Sequence, residues 1–418
     1  MNPMSRRGLL AVTAGGSLIG AATKVQAQSF GNPDLPPQGA INAKNNPASI
    51  TDPGPQNPVI ASQFPSPQSP PATDVGSMGM PWASFNNAPR RIQNGGWARQ
   101  VTQADFAVSE EISGVNMRLT AGGIRELHWH LAAEWAYMSY GNCRITVLDE
   151  AGRAYVSDVK EGDIWYFPAG LPHSLQGLGP DGCEFVICFD DGRASEFNTL
   201  LVSDWIAHTP PEILAANFGV PADTFSKIPL QNLWIFQGQV PGDLTVDQAA
   251  VRGPNGFPPY PFTFSLGALK PTRQTKGGEV RIADSSNFNV SKTIAAALVT
   301  VHPGGLREMH WHPNADEWQY WLKGKGRMGV FNTGPNVVTM DFNPGDVGYV
   351  KRNRGHYIKN VGDTDLQFLE VFRSSYFADV SLSDWLTHTP PAMVAQHLNV
   401  DAATIARFPK DKPVVMPE

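Results

Sequence analysis

Short apolar runs separated by turn residues fill the chain from about residue 95 to residue 410. The runs are four to seven residues long, and Gly, Asp, Asn or Pro recurs between them, which is typical of strands in antiparallel barrels or sandwiches. Two segments, Pro211–Phe218 and Pro391–Leu398, begin with proline and space their apolar residues three or four apart, which predicts short helices. The clearest predicted strands are Cys143–Leu148, Ile164–Phe167, Glu184–Phe189, Gly326–Phe331 and Leu366–Phe372. The pattern therefore predicts an all-β protein with a few short helices.

The same unit is written twice in the sequence, at a spacing near 182 residues. Arg125-Glu-Leu-His-Trp-His130 recurs as Arg307-Glu-Met-His-Trp-His312, and Ser203–Pro211 recurs as Ser383–Pro391. A period this long indicates two whole domains, because solenoid repeats are only about 20–50 residues long. We expect two tandem jelly-roll-like β-barrels at residues 82–240 and 241–418, each followed by short helices.

The first 81 residues differ in character from the two units. Residues 1–27 combine Arg6-Arg7, a 16-residue uncharged stretch and a small-residue cleavage point at Ala27, which predicts an export signal to the periplasm or the medium. The arginine pair resembles a twin-arginine signal, and an ordinary secretory signal is the alternative. The uncharged stretch is too short and too weakly apolar for a membrane span of about 20 residues. Residues 28–81 are rich in Pro, Asn, Gln, Gly and Ser, which predicts a mostly extended arm.

The charge balance narrows the classes of partner. With 32 Lys and Arg against 38 Asp and Glu, the chain has a net charge of −6 and no basic run, which argues against nucleic acid binding. Removal of residues 1–27 would take away three basic residues and no acid, leaving a charge of −9. A site for an anion in such a protein needs its own positive charge. The three cysteines are too few for a disulfide scaffold. They are interpreted as buried thiols, and a Cys183–Cys188 bridge is the alternative.

Each unit carries three histidines and one glutamate in the same order. The two sets are His128, His130, Glu134 and His173, and His310, His312, Glu317 and His356. Residues i and i+2 of a strand point to one face, so each His-x-His pair can bind one metal ion. Glu134 keeps the parity of its pair, whereas Glu317 does not, which predicts a bend near Pro313-Asn314. Three imidazoles and a carboxylate suit Mn, Fe, Ni, Cu or Zn, and leave two positions open in an octahedral ion.

The spacing of these ligands resembles that of the cupin family. Gly122-x5-His128-x-His130-x3-Glu134-x6-Gly141 fits the first cupin motif, and the residues from Gly304 to Gly324 fit it again. Gly162–His173 fits most of the second motif, while the other copy departs from it only at turns. Four further segments are similar to the bicupin oxalate decarboxylases, namely Glu134-Trp-Ala-Tyr137, Phe189-Asp-Asp-Gly192, residues 254–263 and Phe377–Leu382.

This closer resemblance implies a reaction and its cofactors. It implies two Mn(II) ions per chain and dioxygen as co-catalyst, which convert oxalate and a proton to formate and carbon dioxide. It also implies a homo-oligomer, either a trimer or a hexamer. Arg125 and Arg307 are then the groups that contact oxalate, since a guanidinium is the natural partner of a carboxylate. Strand parity alone would turn both arginines away from the metals, and late strand starts at the glycine pairs 122–123 and 304–305 would relax this.

The two units differ in the residues beside the metal. Ser195-Glu196-Phe197-Asn198 falls where the family has a lid, and the resemblance makes Glu196 the general acid and base. The second unit lacks this lid but has Glu370 where the first has Ile187, a second carboxylate near the second metal. We expect the first site to be catalytic and the second to be mainly structural. The alternatives are an oxalate oxidase, which yields carbon dioxide and hydrogen peroxide, and a non-catalytic storage bicupin.

Overall fold

Strands dominate the computed structural model, which describes residues 57–334 and 336–417. The strands of the N-terminal part are β1 (Trp82–Ser84), β2 (Arg91–Gln93), β3 (Gly96–Val101), β4 (Ser113–Leu119), β5 (Gly123–Trp129), β6 (Glu134–Leu148), β7 (Ala154–Lys160), β8 (Ile164–Phe167), β9 (His173–Gly177), β10 (Cys183–Phe189), β11 (Leu200–Leu201), β12 (Ile235–Gln237) and β13 (Thr263–Phe264). Those of the C-terminal part are β14 (Arg273–Thr275), β15 (Gly278–Ala283), β16 (Ala295–Val301), β17 (Leu306–Trp311), β18 (Glu317–Lys323), β19 (Gly326–Asn332), β20 (Asn336–Phe342), β21 (Asp346–Val350), β22 (His356–Asn360), β23 (Leu366–Phe372), β24 (Val380–Ser381) and β25 (Val415–Met416).

The helices of the described residues are all short. They are α1 (Pro58–Gln63), α2 (Pro65–Gln68), α3 (Val202–Ala207), α4 (Pro211–Phe218), α5 (Leu244–Ala250), α6 (Leu382–Thr387), α7 (Pro391–Leu398) and α8 (Ala402–Ile405). Within the part of the chain that is described, none of these helices has the length and apolarity needed to cross a membrane. Helices α4 and α7 coincide with the two predicted helices, and β8 and β23 coincide with predicted strands. The prediction of an all-β fold with few helices is confirmed.

Each unit folds as a barrel of antiparallel strands. In the first barrel the pairing order is β11-β5-β9-β6-β10-β4-β3-β2. The long strand β6 joins two layers, because its first half pairs with β8 and β10 and its second half with β7 and β9. It bends at Gly141, whose φ of 71° suits glycine and where an added Cβ would collide with the carbonyl oxygen of Gly182. In the second barrel the chain separates at the same place into β18 and β19.

Two short strands join the barrel that is not their neighbour in sequence. β1 precedes the first barrel but pairs with β21 of the second, Trp82 lying opposite Gly348. β13 lies beyond residue 240 but pairs with β8 of the first barrel, Thr263 lying opposite Trp165. The predicted boundary between residues 240 and 241 lies within this exchange, and it stays a prediction.

The described end of the predicted arm, from Asn57, contains two helical turns where an extended chain was expected. Prolines occupy the first helical positions, and the side chain of Asn57 accepts hydrogen bonds from the backbone N–H groups of Val59 and Ile60. Both features favour a helix start, which the bulk composition of the arm does not reveal. Residues 1–56, including the predicted export signal, lie outside the described residues.

All three cysteines are buried free thiols. Cys183 and Cys188 lie at opposite ends of the extended strand β10. Five residues of strand span about 16 Å, whereas a disulfide needs Cα atoms within about 7 Å. The alternative of a Cys183–Cys188 bridge is therefore wrong, and the interpretation as buried thiols is the one that fits.

Candidate active site

The first predicted ligand set converges on one point inside the first barrel. His128 lies near the end of β5, His130 follows that strand, Glu134 begins β6 and His173 begins β9. All four side chains are buried, and one ligand atom from each lies within 4.8 Å of the others. The fold thus brings together residues from three strands in the arrangement that the sequence predicted.

Hydrogen bonds orient these ligands toward their common centre. Nδ1 of the three histidines contacts backbone carbonyl oxygens of Glu126, Ala132 and Leu171 at 2.5, 2.6 and 2.8 Å, respectively. An Nδ1–H that donates to a carbonyl leaves Nε2 as the free donor atom for a metal. Trp165 Nε1 donates to Glu134 Oε1 at 2.9 Å, while Oε2 lies 3.2 Å from His130 Nε2.

The protonation states of this set suit a cation. Burial raises the pKa of Glu134, but the contacts of its carboxylate with His130 and His173 outweigh burial, so the pKa is lowered. Burial also holds the pKa of His128 well below its usual value. An ionised Glu134 and a neutral His128 are the forms in which these two side chains bind a metal.

The second set has the same geometry in the second barrel. His310, His312, Glu317 and His356 are buried, and their ligand atoms again lie within 4.8 Å of one another. Glu317 Oε2 lies 3.0 Å from His312 Nε2 and 2.8 Å from His356 Nε2, and these atoms and His310 Nε2 are buried with no hydrogen bond to any other described group. Buried polar atoms are rarely left unpaired, so a group of them facing one point fits a bound cation. The donor set of nitrogen and oxygen atoms fits Mn(II).

A β-bulge explains how the arginines reach the same face as the histidines. In β5, Arg125 lies opposite Leu175 and His128 opposite His173, so one extra residue is inserted between them. β17 has the same irregularity between Arg307 and His310. A bulge reverses the alternation of side chains, so late strand starts at the glycine pairs are the wrong explanation. β5 begins at Gly123, and β17 follows Gly305 directly.

A turn between strands, rather than strand parity, positions both glutamates. Glu134 and Glu317 each begin a new strand, β6 and β18, after a turn from the strand that carries the histidine pair. The predicted bend near Pro313-Asn314 is present, but the first barrel turns at the corresponding place too. Parity along one strand therefore does not position either carboxylate.

Arg125 lies in a small cavity beside the first ligand set. The cavity is lined by Arg125, His128, Glu134, Glu196 and Thr199 and by the apolar side chains of Val115, Met117, Leu175, Ile187 and Phe189. Arg125 donates to the Trp234 carbonyl at 3.2 Å and to Thr199 Oγ1 at 3.3 Å. No carboxylate of the described chain forms an ion pair with it. Burial lowers its pKa to about 10, which still leaves it cationic at neutral pH.

Arg307 has the opposite environment. Its Nε lies 3.1 Å from Glu370 Oε1, and its Nη2 lies 2.9 Å from Asp379 Oδ2. Burial lowers the pKa of Arg307, but Glu370 and Asp379 outweigh that effect and the pKa is raised. Lys412 adds a further cation on Asp379. The sequence placed Glu370 near the second metal, and the structure pairs it with the arginine that was predicted to contact oxalate.

The predicted lid closes the first cavity. Glu196 begins a 3₁₀ turn, Glu196–Asn198, and is buried. Glu196 and Thr199 line the inner cavity, whereas Ser195 and Asn198 line an outer cavity of about 340 Å³. The lid therefore lies between the two cavities, and His130 of the ligand set borders the outer one. The sequence did not reveal Arg91, whose guanidinium contacts Glu196 from 105 residues away, because no motif includes it.

Comparison with known proteins points to one family. The model of the cupin family matches residues 83–224 and 264–406. The oxalate decarboxylase OxdC of Bacillus subtilis (strain 168) is 51% identical over 347 residues, which cover 83% of this chain and 89% of the relative. A probable oxalate decarboxylase of Arthroderma benhamiae is 41% identical over 353 residues, which cover 83% of this chain and 85% of the relative. A solved structure of Bacillus subtilis oxalate decarboxylase, from work that assigned the EPR fine structure parameters of its Mn(II) centres, superimposes with a TM-score of 0.85 at 48% identity. The match covers 87% of this chain and 96% of that one.

Proposed function

The chain belongs to the cupin family and, within it, to the oxalate decarboxylases, and we propose that its first barrel performs the reaction. Oxalate and a proton give formate and carbon dioxide, which makes the protein a carboxy-lyase. It carries two Mn(II) centres, one for each set of three histidines and a glutamate. The observation that supports the first barrel is the state of the two arginines. Arg125 is a buried cation with only neutral hydrogen-bond acceptors, whereas two carboxylates already neutralise Arg307.

Each side chain around the first centre has a separate task. His128, His130, Glu134 and His173 would hold Mn(II), which with dioxygen would supply a Lewis acid and a one-electron couple for cleavage of the carbon–carbon bond. Arg125 binds and orients a carboxylate of oxalate through its planar guanidinium. Glu196 accepts the acidic proton of the substrate and returns it to the carbon that remains after carbon dioxide departs. The apolar walls, including Ile187 and Phe189, exclude water from this carbon while the lid is closed.

The second barrel holds its metal mainly for structure. Glu370 occupies the register position that Ile187 occupies in the first barrel, since Ile187 lies opposite Ala136 and Glu370 lies opposite Gln319. A carboxylate there competes with oxalate for Arg307. No segment of the described second unit matches the glutamate-bearing lid.

Product analysis separates this reaction from its alternatives. The Mn-loaded protein, incubated with oxalate in air, is expected to yield one formate for each carbon dioxide and little peroxide. Two molecules of carbon dioxide and one of peroxide per oxalate would identify an oxidase instead. No turnover with both metals bound would identify a storage bicupin. Arg125→Gln should lower kcat/KM by about 10- to 100-fold, the scale of a lost charge-assisted hydrogen bond.

The predicted export of the protein remains a proposal. The supporting features are the Arg6-Arg7 pair, the uncharged stretch and Ala27 at the cleavage point. N-terminal sequencing of periplasmic or extracellular protein should start at Gln28, and a start at Met1 would contradict cleavage. Export that survives a double change, Arg6→Lys with Arg7→Lys, would contradict the twin-arginine route.

A homo-oligomer, trimer or hexamer, is likewise proposed. Its support is that the helices following each barrel expose several large apolar side chains. These are Trp205, Ile213 and Phe218 on α3 and α4, and Trp385, Met393 and Leu398 on α6 and α7. Light scattering of the metal-loaded protein should give a mass of three or six chains, and a monomer would overturn the proposal.

A further inference from the structure

The carboxylate of Glu196 is held from outside the lid. Its Oε2 lies 2.5 Å from Arg91 Nη2, and the side chains are 4% and 20% exposed, respectively. Arg91 begins β2, which lies at the edge of the first barrel's sheet and pairs only with β3. The rest of the lid has a different anchor, because Ser195 Oγ donates to Gln100 Oε1 at 2.9 Å. Among the described residues, Arg91 is the one side chain that bonds the Glu196 carboxylate.

Aromatic rings fix the position of the Arg91 guanidinium. It lies 5.1 Å from the ring centroid of Trp234 and 5.9 Å from that of Phe197. These two rings meet edge to face with centroids 5.7 Å apart. Such cation–π contacts stabilise a partly desolvated cation. The lid residue Phe197 therefore contacts the same guanidinium that bonds Glu196.

The segment with Trp234 connects the two arginines of the site. The Trp234 carbonyl accepts a hydrogen bond from Arg125, and the Trp234 ring also lies 5.4 Å from the Arg125 guanidinium. Gln93, two residues after Arg91, donates to the Leu233 carbonyl at 2.8 Å and accepts from the Ile235 N–H at 3.1 Å. Arg91, Glu196 and Arg125 are therefore positioned by one packed group of side chains.

The second barrel has an arginine at the position equivalent to Arg91, but this arginine does not bond a lid carboxylate. Arg273 begins β14, the counterpart of β2, and precedes the glycine pair at 277–278 as Arg91 precedes that at 95–96. Arg273 is exposed, and it forms no ion pair with a carboxylate of the described chain. A purely structural need of the barrel would apply to both arginines. The difference between them coincides with the presence of the lid glutamate.

We infer that Arg91 is a positioning residue that latches the lid shut and orients the carboxylate of Glu196 at the first site. Closing the lid forms the Arg91–Glu196 ion pair and covers it with Phe197. Opening the lid requires that this pair separate. Arg91 donates a hydrogen bond to Oε2 of Glu196, and no described residue donates to Oε1. Oε1 is therefore the oxygen that exchanges a proton with the substrate. The role at the reaction rests on the proposed function, whereas the latch itself is a property of the lid.

Hydrogen exchange of the Mn-loaded protein tests the latch without turnover. Arg91→Gln should speed amide exchange in residues 195–199 by about 10-fold or more, because a buried carboxylate that loses its partner favours the open lid. Arg273→Gln is the matched control and should leave exchange there unchanged. Arg91→Lys keeps a point charge and should fall between the parent and Arg91→Gln. Lid exchange equal to that of the parent in Arg91→Gln would overturn the latch, and metal content and circular dichroism verify the fold.

Steady-state kinetics test the effect on Glu196. Arg91→Gln should lower kcat for formate by about 10- to 100-fold, the scale of a misplaced catalytic group, and raise the ratio of peroxide to formate. Arg91→Lys should restore part of the rate. In a Glu196→Gln background, Arg91→Gln should have no further effect, because it acts through a carboxylate that is already absent. Independent, multiplicative losses in the double variant would overturn the positioning role.

The hydrogen-exchange and product measurements distinguish failure of the latch from failure of the proposed reaction. A parent protein that makes no formate, together with a lid that loosens in Arg91→Gln, would refute the proposed reaction and leave the latch in place. Normal formate production with a lid that is insensitive to Arg91 would refute the latch and leave the reaction in place.

Discussion

Arg125 and Arg307 occupy the same position of one repeated motif, but only Arg307 is paired with carboxylates of the protein. Removing a guanidinium from water costs several kcal/mol unless other groups compensate. In the second barrel Glu370 and Asp379 provide this compensation permanently. In the first barrel it comes from carbonyl and hydroxyl oxygens, which leaves an unneutralised cation. Such a cation attracts a small dianion into an otherwise acidic protein.

Glu196 is the residue whose replacement tests this arrangement most directly. Glu196→Gln keeps the size of the side chain but removes the titrating proton. Formate production should fall about 100-fold or more, the usual scale for a lost general acid. The metal content should not change, because Glu196 is outside both ligand sets, and residual turnover should shift toward peroxide. Glu370→Gln is the control and should keep most activity. Formate at the parent rate in Glu196→Gln would instead favour Glu370 and the second metal.

The carboxylate of Asp379 gives the Arg307 network a pH dependence. Burial raises its pKa, but Arg307 and Lys412 outweigh this and lower it to about 2. A carboxyl group with a lowered folded-state pKa adds stability above its unfolded pKa near 3.8, and this stability is lost as the pH falls through about 2. Asp379→Asn should therefore lower the free energy of unfolding by about 2 kcal/mol at pH 6 and by progressively less below about pH 4. Denaturant titrations of both proteins at several pH values measure this; a difference that grows in acid would contradict it.

At the scale of elements, the two histidine-bearing strands should respond differently to the same change. Replacing His128 and His130 on and after β5 should remove the first metal and nearly all formate production. Replacing His310 and His312 should remove the second metal and cost mostly stability, measured as a lower Tm. Loss of turnover in the second variant, with the fold and the first metal intact, would show that the site assignment is wrong.

The strands, two helices and both ligand sets were predictable because each depends on local pattern and spacing. The bulges in β5 and β17 were not, since an inserted residue leaves no mark on the apolar pattern between Arg125 and His128. The contact of Arg91 with Glu196 depends on how two distant segments pack, which no local motif encodes. The pairing of Glu370 with Arg307 is of the same kind. The sequence was sufficient to predict the chemical role of single residues. It was not sufficient to predict which charged residues form ion pairs with one another.

At the scale of the whole molecule, metal content and stability are linked. Elemental analysis of the purified protein should find two metals per chain, mainly Mn, because two complete ligand sets are present. One metal or none in a folded protein would contradict this. Removing the metals with a chelator should lower Tm by about 5–15 °C, since ions that bind only the folded chain stabilise it by several kcal/mol. Adding Mn(II) back should restore the parent Tm.

The exchanged strands β1 and β13 connect the two barrels, and we expect the barrels to unfold as one cooperative unit. Each barrel contains a strand that the other half of the chain supplies, and one apolar cluster joins them through Trp135 and Tyr166 on one side and Trp318 and Tyr349 on the other. Melting of either barrel would therefore expose apolar side chains of the other. Calorimetry should therefore show a single transition, even when only the second metal is missing. A substitution that destabilises the second barrel would then also shorten the lifetime of the folded first barrel, which contains the lid.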